Sequence, residues 1–203
     1  MKKIPEPTRR RLVQVFQFLS GWKKSRITSA EISAFLGCKD SLVRRDFSFA
    51  GCAPGVSNGY DVESLKNVLA SVCGVCPADG TARKKCCIVG LGRLGAALLD
   101  DSFFEESGFS VEAGFDSSVN RLEIMRSTFE LYPASRIETV VPQRKIEYAL
   151  LCCAEKEVPL MTERLVRAGV RGIVNYTRAV LNVPASVRVE NCSPVTALMN
   201  VQG

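Results

Sequence analysis

No histidine occurs anywhere in the 203 residues. That absence removes the side chain most often used for proton transfer near neutral pH, and the commonest metal ligand. No apolar run approaches the ~20 residues a membrane span needs. Met1-Lys2-Lys3-Ile4-Pro5-Glu6-Pro7 carries two lysines, but no apolar segment follows it. No signal peptide is therefore expected, and a cytoplasmic protein is the default. Internal repeats and low-complexity segments are also missing.

Cysteine is plentiful by contrast, with nine copies: Cys38, Cys52, Cys73, Cys76, Cys86, Cys87, Cys152, Cys153 and Cys192. An odd count without a secretory signal argues against a disulfide framework. The pairs Cys86-Cys87 and Cys152-Cys153 lie in apolar, strand-like runs, where cysteine behaves as a small hydrophobe. Cys73-Gly74-Val75-Cys76 is the one C-x-x-C. A zinc site needs about four ligands, and no second pair and no histidine are available to complete one. No metal is expected.

Charge is unevenly placed. Residues 1–66 hold twelve basic and six acidic side chains, whereas the remainder holds fifteen of each. The whole net charge of +6 therefore sits in the first third. Such a division suggests a polyanion-binding module joined to an electrically balanced one.

Within that first third, Thr8 to Leu19 has helical periodicity, with Leu12, Val15, Phe16 and Leu19 on one face. Arg9, Arg10 and Arg11 crowd its start, where the helix dipole disfavours cations, so an external anion such as a phosphate would relieve them. Thr28-Ser29-Ala30-Glu31 is a capping box. It opens a helix carrying Ile32, Phe35 and Leu36 that ends at Gly37. Asp40 or Ser41 then caps a third helix, Leu42 to Phe49, ending at Gly51. Two helices across a tight glycine turn form a helix-turn-helix. Its second helix would present Lys39, Ser41, Arg44 and Arg45 to base edges or phosphates, with Leu42, Phe47 and Phe49 anchoring it. Pro54 to Tyr60 is turn-rich and contains Asn58-Gly59, a hairpin signal, so a β-wing is expected there. Asp61 to Val72 returns to helix. Together these elements describe a winged-helix domain over residues 1–77.

Residues 74–85 read as a polar linker. Cys86 to Val89 then reads as a buried strand, followed by Gly90-Leu91-Gly92-Arg93-Leu94-Gly95 and a helix from Leu94 to about Glu105. This is the context of a dinucleotide-binding turn. Gly90 would allow the turn, Gly92 would let the backbone approach a pyrophosphate, and Gly95 would let the helix pack on the strand. Anions favour such a helix N-terminus. A second strand, Ser110 to Asp116, ends in an acid ~20 residues beyond the motif, as expected of a residue that holds the ribose hydroxyls and repels a 2′-phosphate. NAD(H) is thus expected over NADP(H). Arg121 to Phe129 and Glu157 to Ala168 read as helices. Ile146 to Cys153, Gly172 to Tyr176 and Ser186 to Glu190 read as strands. The alternation gives an α/β unit over residues 78–203, a small Rossmann-fold domain with a parallel sheet.

An NAD-dependent oxidoreductase would need a proton donor beside the nicotinamide. Besides the missing histidine, no Tyr-x-x-x-Lys occurs: Tyr132 is followed by Arg136, and neither Tyr148 nor Tyr176 has a lysine at that spacing. The stretch 78–203 also leaves little room for a substrate domain. A non-enzymatic use of the nucleotide is expected.

In its motifs the chain resembles the Rex family of redox-sensing transcriptional repressors. The resemblance is carried by Ile4 to Leu12, by Val43-Arg44-Arg45-Asp46-Phe47-Ser48-Phe49-Ala50-Gly51, and by Asn58-Gly59-Tyr60-Asp61-Val62. It continues through Gly90 to Gly95, Phe115-Asp116, Leu165 to Thr177 and Leu181-Asn182-Val183-Pro184. It implies a homodimer on a palindromic double-stranded operator, with recognition helices about one DNA turn (~34–36 Å) apart. NADH would release the DNA and NAD⁺ would permit binding, controlling genes of fermentative or anaerobic metabolism. The resemblance adds Ser48 and Tyr60 to the DNA-facing residues, and Asn175 and Tyr176 to the cofactor-binding ones. This chain departs from the family at the wing, where Cys52 to Ser57 holds no basic residue. It also departs at Gln17 and Ser193, where the family commonly has an arginine and an acid. Few residues follow Val189, and Pro194 is among them. A member that binds DNA without NADH-dependent switching is the alternative those departures leave.

Overall fold

The computed structural model describes residues 4–53, 55, 59–74, 83–99, 104 and 108–201. The chain divides into two compact units, Met1–Ala82 and Arg83–Gly203. Of the polar linker expected over 74–85, residues 75–82, with Cys76 of the C-x-x-C, fall outside the described residues, and Lys84 and Lys85 already belong to the sheet.

In the first unit, α1 spans Glu6–Ser20. It begins two residues before Thr8 because Pro7 sits in the first turn, where its fixed φ suits a helix and no N–H is needed. β1 (Arg26–Ile27) leads into α2 (Ser29–Leu36). The capping box is present: Thr28 Oγ1 accepts from Glu31 N at 3.1 Å, and Glu31 Oε2 accepts from Thr28 N at 2.8 Å. Gly37, in the left-handed region, ends α2. α3 (Asp40–Ala50) starts earlier than expected, with Lys39 as N-cap and no side-chain capping bond. The expectation that Asp40 or Ser41 caps it is therefore corrected; Asp40 lies inside the helix. β2 (Tyr60–Asp61) precedes α4 (Val62–Cys73), which Asp61 caps by accepting from Ser64 N at 2.9 Å.

β1 and β2 pair antiparallel, Arg26 opposite Asp61 and Ile27 opposite Tyr60. The segment before the helix-turn-helix thus supplies the partner strand for the end of the wing. Pro54, Val56, Ser57 and Asn58, on which the expected hairpin turn rests, lie outside the described residues. All four helices bury one stripe into a common core: Leu12, Val15 and Leu19, then Ile32, then Val43 and Phe47, then Val62, Leu65, Leu69 and Val72, with Ile27 between them.

The second unit runs β3 (Lys84–Val89), α5 (Arg93–Ala97), β4 (Phe109–Asp116), α6 (Val119–Ile124), β5 (Leu131–Pro133), α7 (Ile137–Gln143), β6 (Tyr148–Leu151), α8 (Val158–Arg167), β7 (Gly172–Asn175), β8 (Arg188–Asn191) and α9 (Pro194–Val201). The six strands form one sheet in the order β5-β4-β3-β6-β7-β8, with every neighbouring pair parallel. That is the 3-2-1-4-5-6 order of a dinucleotide-binding sheet, whose crevice opens where the order reverses, between β3 and β6. Side chains alternate between faces. Cys87, Val89, Phe115, Leu151 and Ile173 fill one core, and Cys86, Ile88, Val111 and Leu150 the other.

The paired cysteines are therefore core residues on opposite faces. Burial pushes the thiols of Cys86 and Cys87 well above their ordinary range, which keeps them protonated and unreactive. The helix expected from Leu94 to Glu105 is described only as α5, with Leu98 and Leu99 in a turn; residues 100–103 and 105–107 lie outside the described set. Among the described residues no helix is long and apolar enough to cross a membrane, and no group of three or more His, Cys, Asp or Glu could hold a metal.

Candidate functional site

α3 has two opposed stripes. Val43, Asp46 and Phe47 are buried, while Ser41, Arg44, Arg45 and Ser48 are exposed. The exposed four lie at i, i+3, i+4 and i+7, one continuous face, with Lys39 exposed just ahead of them. Arg44 Nε lies 2.8 Å from Asp40 Oδ2, and the two side chains are 67% and 39% exposed. A surface pair of this kind contributes ~0–1 kcal/mol, so a base or phosphate can compete for the guanidinium. The Arg45 guanidinium lies 5.7 Å from the Phe49 ring. Tyr60 is half-buried, with its ring edge-on to Phe47 at 5.0 Å. Burial raises the pKa of its hydroxyl above the ordinary value.

The three arginines of α1 find partners inside the unit. Arg11 Nε and Nη2 donate to the two oxygens of Asp46 at 2.6 and 2.9 Å, and Thr8 Oγ1 donates to Asp46 at 2.9 Å. Asp46 is 3% exposed. Its carboxylate raises the pKa of Arg11 above the ordinary value. Arg9 Nη1 donates to Val72 O at 3.1 Å, satisfying a carbonyl in the last turn of α4. Arg10 pairs with Glu6 at 3.6 Å on the surface. The expectation of an external phosphate is corrected for Arg9 and Arg11, which clamp α1 to α4 and α3. The sequence signal of this buried acid is a carboxylate between Val43 and Phe47 on the apolar stripe.

In the second unit the glycines divide by role. Gly90 has φ +91°, and a Cβ there would fall far inside contact distance of the Cys153 backbone on the adjoining turn. A Cβ on Gly95 would strike the carbonyl oxygen of Gly90. A Cβ on Gly92 would meet nothing within 4 Å. Gly90 and Gly95 close the turn against the fold, while Gly92 faces open space at the switch point. The residues fit a pyrophosphate there: Arg93, Leu94 and Gly95 form the first turn of α5, whose amides have no carbonyl partner within the helix. Arg93 and Leu94 are exposed.

Three expected cofactor residues are engaged internally. Leu91 is fully buried, and its N–H donates to Asp116 Oδ2 at 2.6 Å. Asp116 is 2% exposed; Oδ1 also accepts from Ser118 N at 2.7 Å, and Arg121 Nη1 lies 3.2 Å from both oxygens. Asp116 ties the glycine turn to the end of β4. Asn175 is 1% exposed; its Nδ2 donates to Ala179 O and Asn191 Oδ1, and its Oδ1 accepts from the N–H and hydroxyl of Thr177. It shapes the loop after β7. Tyr176, half-buried, stands at the start of that loop. The sequence signal of the Arg121–Asp116 pair is a cation five residues after a strand-end acid.

Comparison with known proteins agrees across the chain. Residues 3–48 match a family described as putative DNA-binding protein N-terminus, and residues 81–179 match the CoA binding domain family. The redox-sensing transcriptional repressor Rex of Limosilactobacillus reuteri is 33% identical over 193 residues, 94% of this chain and 88% of that one. The protein of the same name from Leuconostoc citreum is 32% identical over 93% of this chain and 87% of its own. A crystal structure of RSP, a Rex-family repressor, superposes with a TM-score of 0.86 at 29% identity, covering 100% of this chain and 94% of that one. RSP with β-NADH and RSP with β-NAD⁺ and operator DNA each match at a TM-score of 0.85 and 28% identity, covering 100% of this chain and 94% and 92% of theirs.

Proposed function

The chain belongs to the Rex family of redox-sensing transcriptional repressors, and from that membership we propose how its residues divide the work. It is a DNA-binding repressor that senses NAD(H), not an enzyme. The observation that carries the division is one chain holding both an exposed Ser41/Arg44/Arg45/Ser48 face on α3 and a glycine turn at the switch point of a 3-2-1-4-5-6 sheet.

α3 enters the major groove. Arg44 and Arg45 reach guanine edges or phosphates, Ser41 and Ser48 add hydroxyl contacts, and Lys39 meets the backbone. Arg10 keeps an exposed charge for the phosphates, whereas Arg9 and Arg11 hold α1 in place. In the second unit the first-turn amides of α5, laid open by Gly92, hold the pyrophosphate. Tyr176, across the crevice on the loop that Asn175 shapes, lines the opposite side. The nucleotide supplies an oxidised or reduced signal and no reaction. Operator palindromy requires two copies. α9 exposes Val195, Leu198, Met199 and Val201, an apolar stripe for a second copy of this chain. The setting is the cytoplasm.

The DNA half is tested by fluorescence anisotropy of the full-length chain on an operator it selects from a random duplex pool. Arg44→Ala and Arg45→Ala are expected to weaken binding by ~1–3 kcal/mol each if they contact bases, with thermal unfolding unchanged. Unaltered operator affinity for both variants would remove α3 from the interface.

A further inference from the structure

Arg44 and Arg45 stand side by side on the exposed face of α3, but the fold treats them differently. Arg44 Nε donates to Asp40 Oδ2 at 2.8 Å, one helical turn earlier. Arg45 instead lies over the Phe49 ring. The Asp40 carboxylate has a second neighbour: the Ser29 hydroxyl, and after it Arg44, hold its carboxyl below the ordinary value. Ser29 belongs to the first turn of α2 and is buried. Asp40 Oδ1 is buried as well, so the carboxylate is seated between α2 and Arg44 instead of swinging in solvent. Ser29, Asp40, Arg44 and Ser48 line one cleft together with Tyr60 of β2. A guanidinium carries its N–H donors on Nε, Nη1 and Nη2, and Asp40 takes the one on Nε. The fork of Nη1 and Nη2 can pair two-pronged with O6 and N7 of guanine. A carboxylate behind Nε thus fixes the plane of the group without using the donors of that fork, and a long side chain is ordered before DNA arrives. The same carboxylate repels phosphates, so it disfavours every duplex that places no guanine within reach.

We propose that Asp40 is a positioning residue for sequence readout: seated against α2, it holds Arg44 toward one guanine of the operator and sharpens discrimination at that base pair. The inference rests on the reading of α3 as the helix that contacts DNA. It makes Arg44 the base reader of the pair of arginines, and it gives an acid on a DNA-facing helix a use that offsets its repulsion of phosphates.

The test is anisotropy of the full-length chain on its selected operator, on copies of that operator with each G·C pair exchanged in turn, and on an unrelated duplex. Arg44→Ala locates the base pair, as the exchange whose penalty it removes. Asp40→Ala is expected to lower discrimination at that same pair at least about threefold, the scale of one exposed ion pair. Its affinity for the unrelated duplex is expected to hold or rise, because a negative charge is gone. Asp40→Asn keeps an acceptor for Nε and is expected to retain part of the discrimination, which a residue serving only the dipole of α3 would not. Discrimination unchanged in Asp40→Ala, or equal loss on every duplex, overturns the inference and leaves α3 on the DNA. An Arg44→Ala chain that removes no such penalty overturns Arg44 as the base reader, and the inference with it. A wild-type chain that prefers no duplex overturns the reading of α3 and the inference together.

Discussion

Asp46→Ala is expected to destabilise the N-terminal unit by about 2–4 kcal/mol, and operator binding is expected to fall with it. Asp46 is 3% exposed on the apolar stripe of α3, and three donors from α1 converge on it. Removing the carboxylate leaves Thr8 and Arg11 without their acceptor. Breaking a buried pair from one side costs ~3–5 kcal/mol, and the 23% exposure of the Arg11 side chain lowers that cost because water can reach it. Asp46→Asn keeps one acceptor oxygen and is expected to lose about half as much. Trp22 is the single tryptophan of the chain and lies in this unit, its ring 5.3 Å from Phe18, so its fluorescence follows unfolding of this unit alone. An Asp46→Ala midpoint within error of the wild type would show that the α1–α3 clamp contributes nothing. Because Arg44 and Arg45 share α3 with Asp46, this variant separates positioning of the recognition helix from contact with DNA.

The glycine turn gives the second large effect, as a contrast between neighbours. Alanine in place of glycine within a helix ordinarily stabilises by ~1 kcal/mol. At Gly95 the sign is expected to reverse, to a loss of about 2–4 kcal/mol, because the added Cβ strikes Gly90 O and the backbone must shift. Gly90→Ala is expected to behave alike, with φ +91° adding strain. NADH binding is lost in both. Gly92→Ala meets no atom within 4 Å, and its φ of −67° suits any residue. Its stability is expected to stay within ~0.5 kcal/mol of the wild type, yet NADH affinity is expected to fall at least about tenfold, since the new methyl stands where the pyrophosphate approaches. Calorimetry for stability and NADH fluorescence for binding separate the three. Full NADH affinity in Gly92→Ala would move the nucleotide away from this turn.

The features legible in the sequence were those set by local chemistry. Thr28 and Glu31 find each other three residues apart, and Gly37 and Gly51 end helices wherever the helices pack. The spacing of Gly90, Gly92 and Gly95 needs only a strand before it and a helix after. Short elements were not legible. β5 is three residues ending in Pro133. α7 holds Ile137, Val140 and Val141 at helical spacing, but β-branched residues and Pro142 hide it. α9 begins at Pro194, where a proline opens a helix rather than breaking one, and Thr196 N donates to Ser193 Oγ at 3.3 Å. The site itself was half legible. Which residues carry charge was plain, but where each charge is spent was not. Arg11 meets its partner 35 residues away, and Asp116 turns back 25 residues to the amide of Leu91. Such pairings depend on how separated elements pack, so the internal hydrogen bonds of Arg11, Asp116 and Asn175 do not show in the sequence.

The nucleotide on the glycine turn is expected to control the grip of α3 on DNA. Anisotropy of the full-length chain on its selected operator, at saturating NADH and then at saturating NAD⁺, tests it most directly. Operator affinity is expected to fall at least about tenfold with NADH, a coupling of ~1.4 kcal/mol or more, and to persist with NAD⁺. Equal operator affinity in NADH, NAD⁺ and no nucleotide, with NADH demonstrably bound, would contradict it.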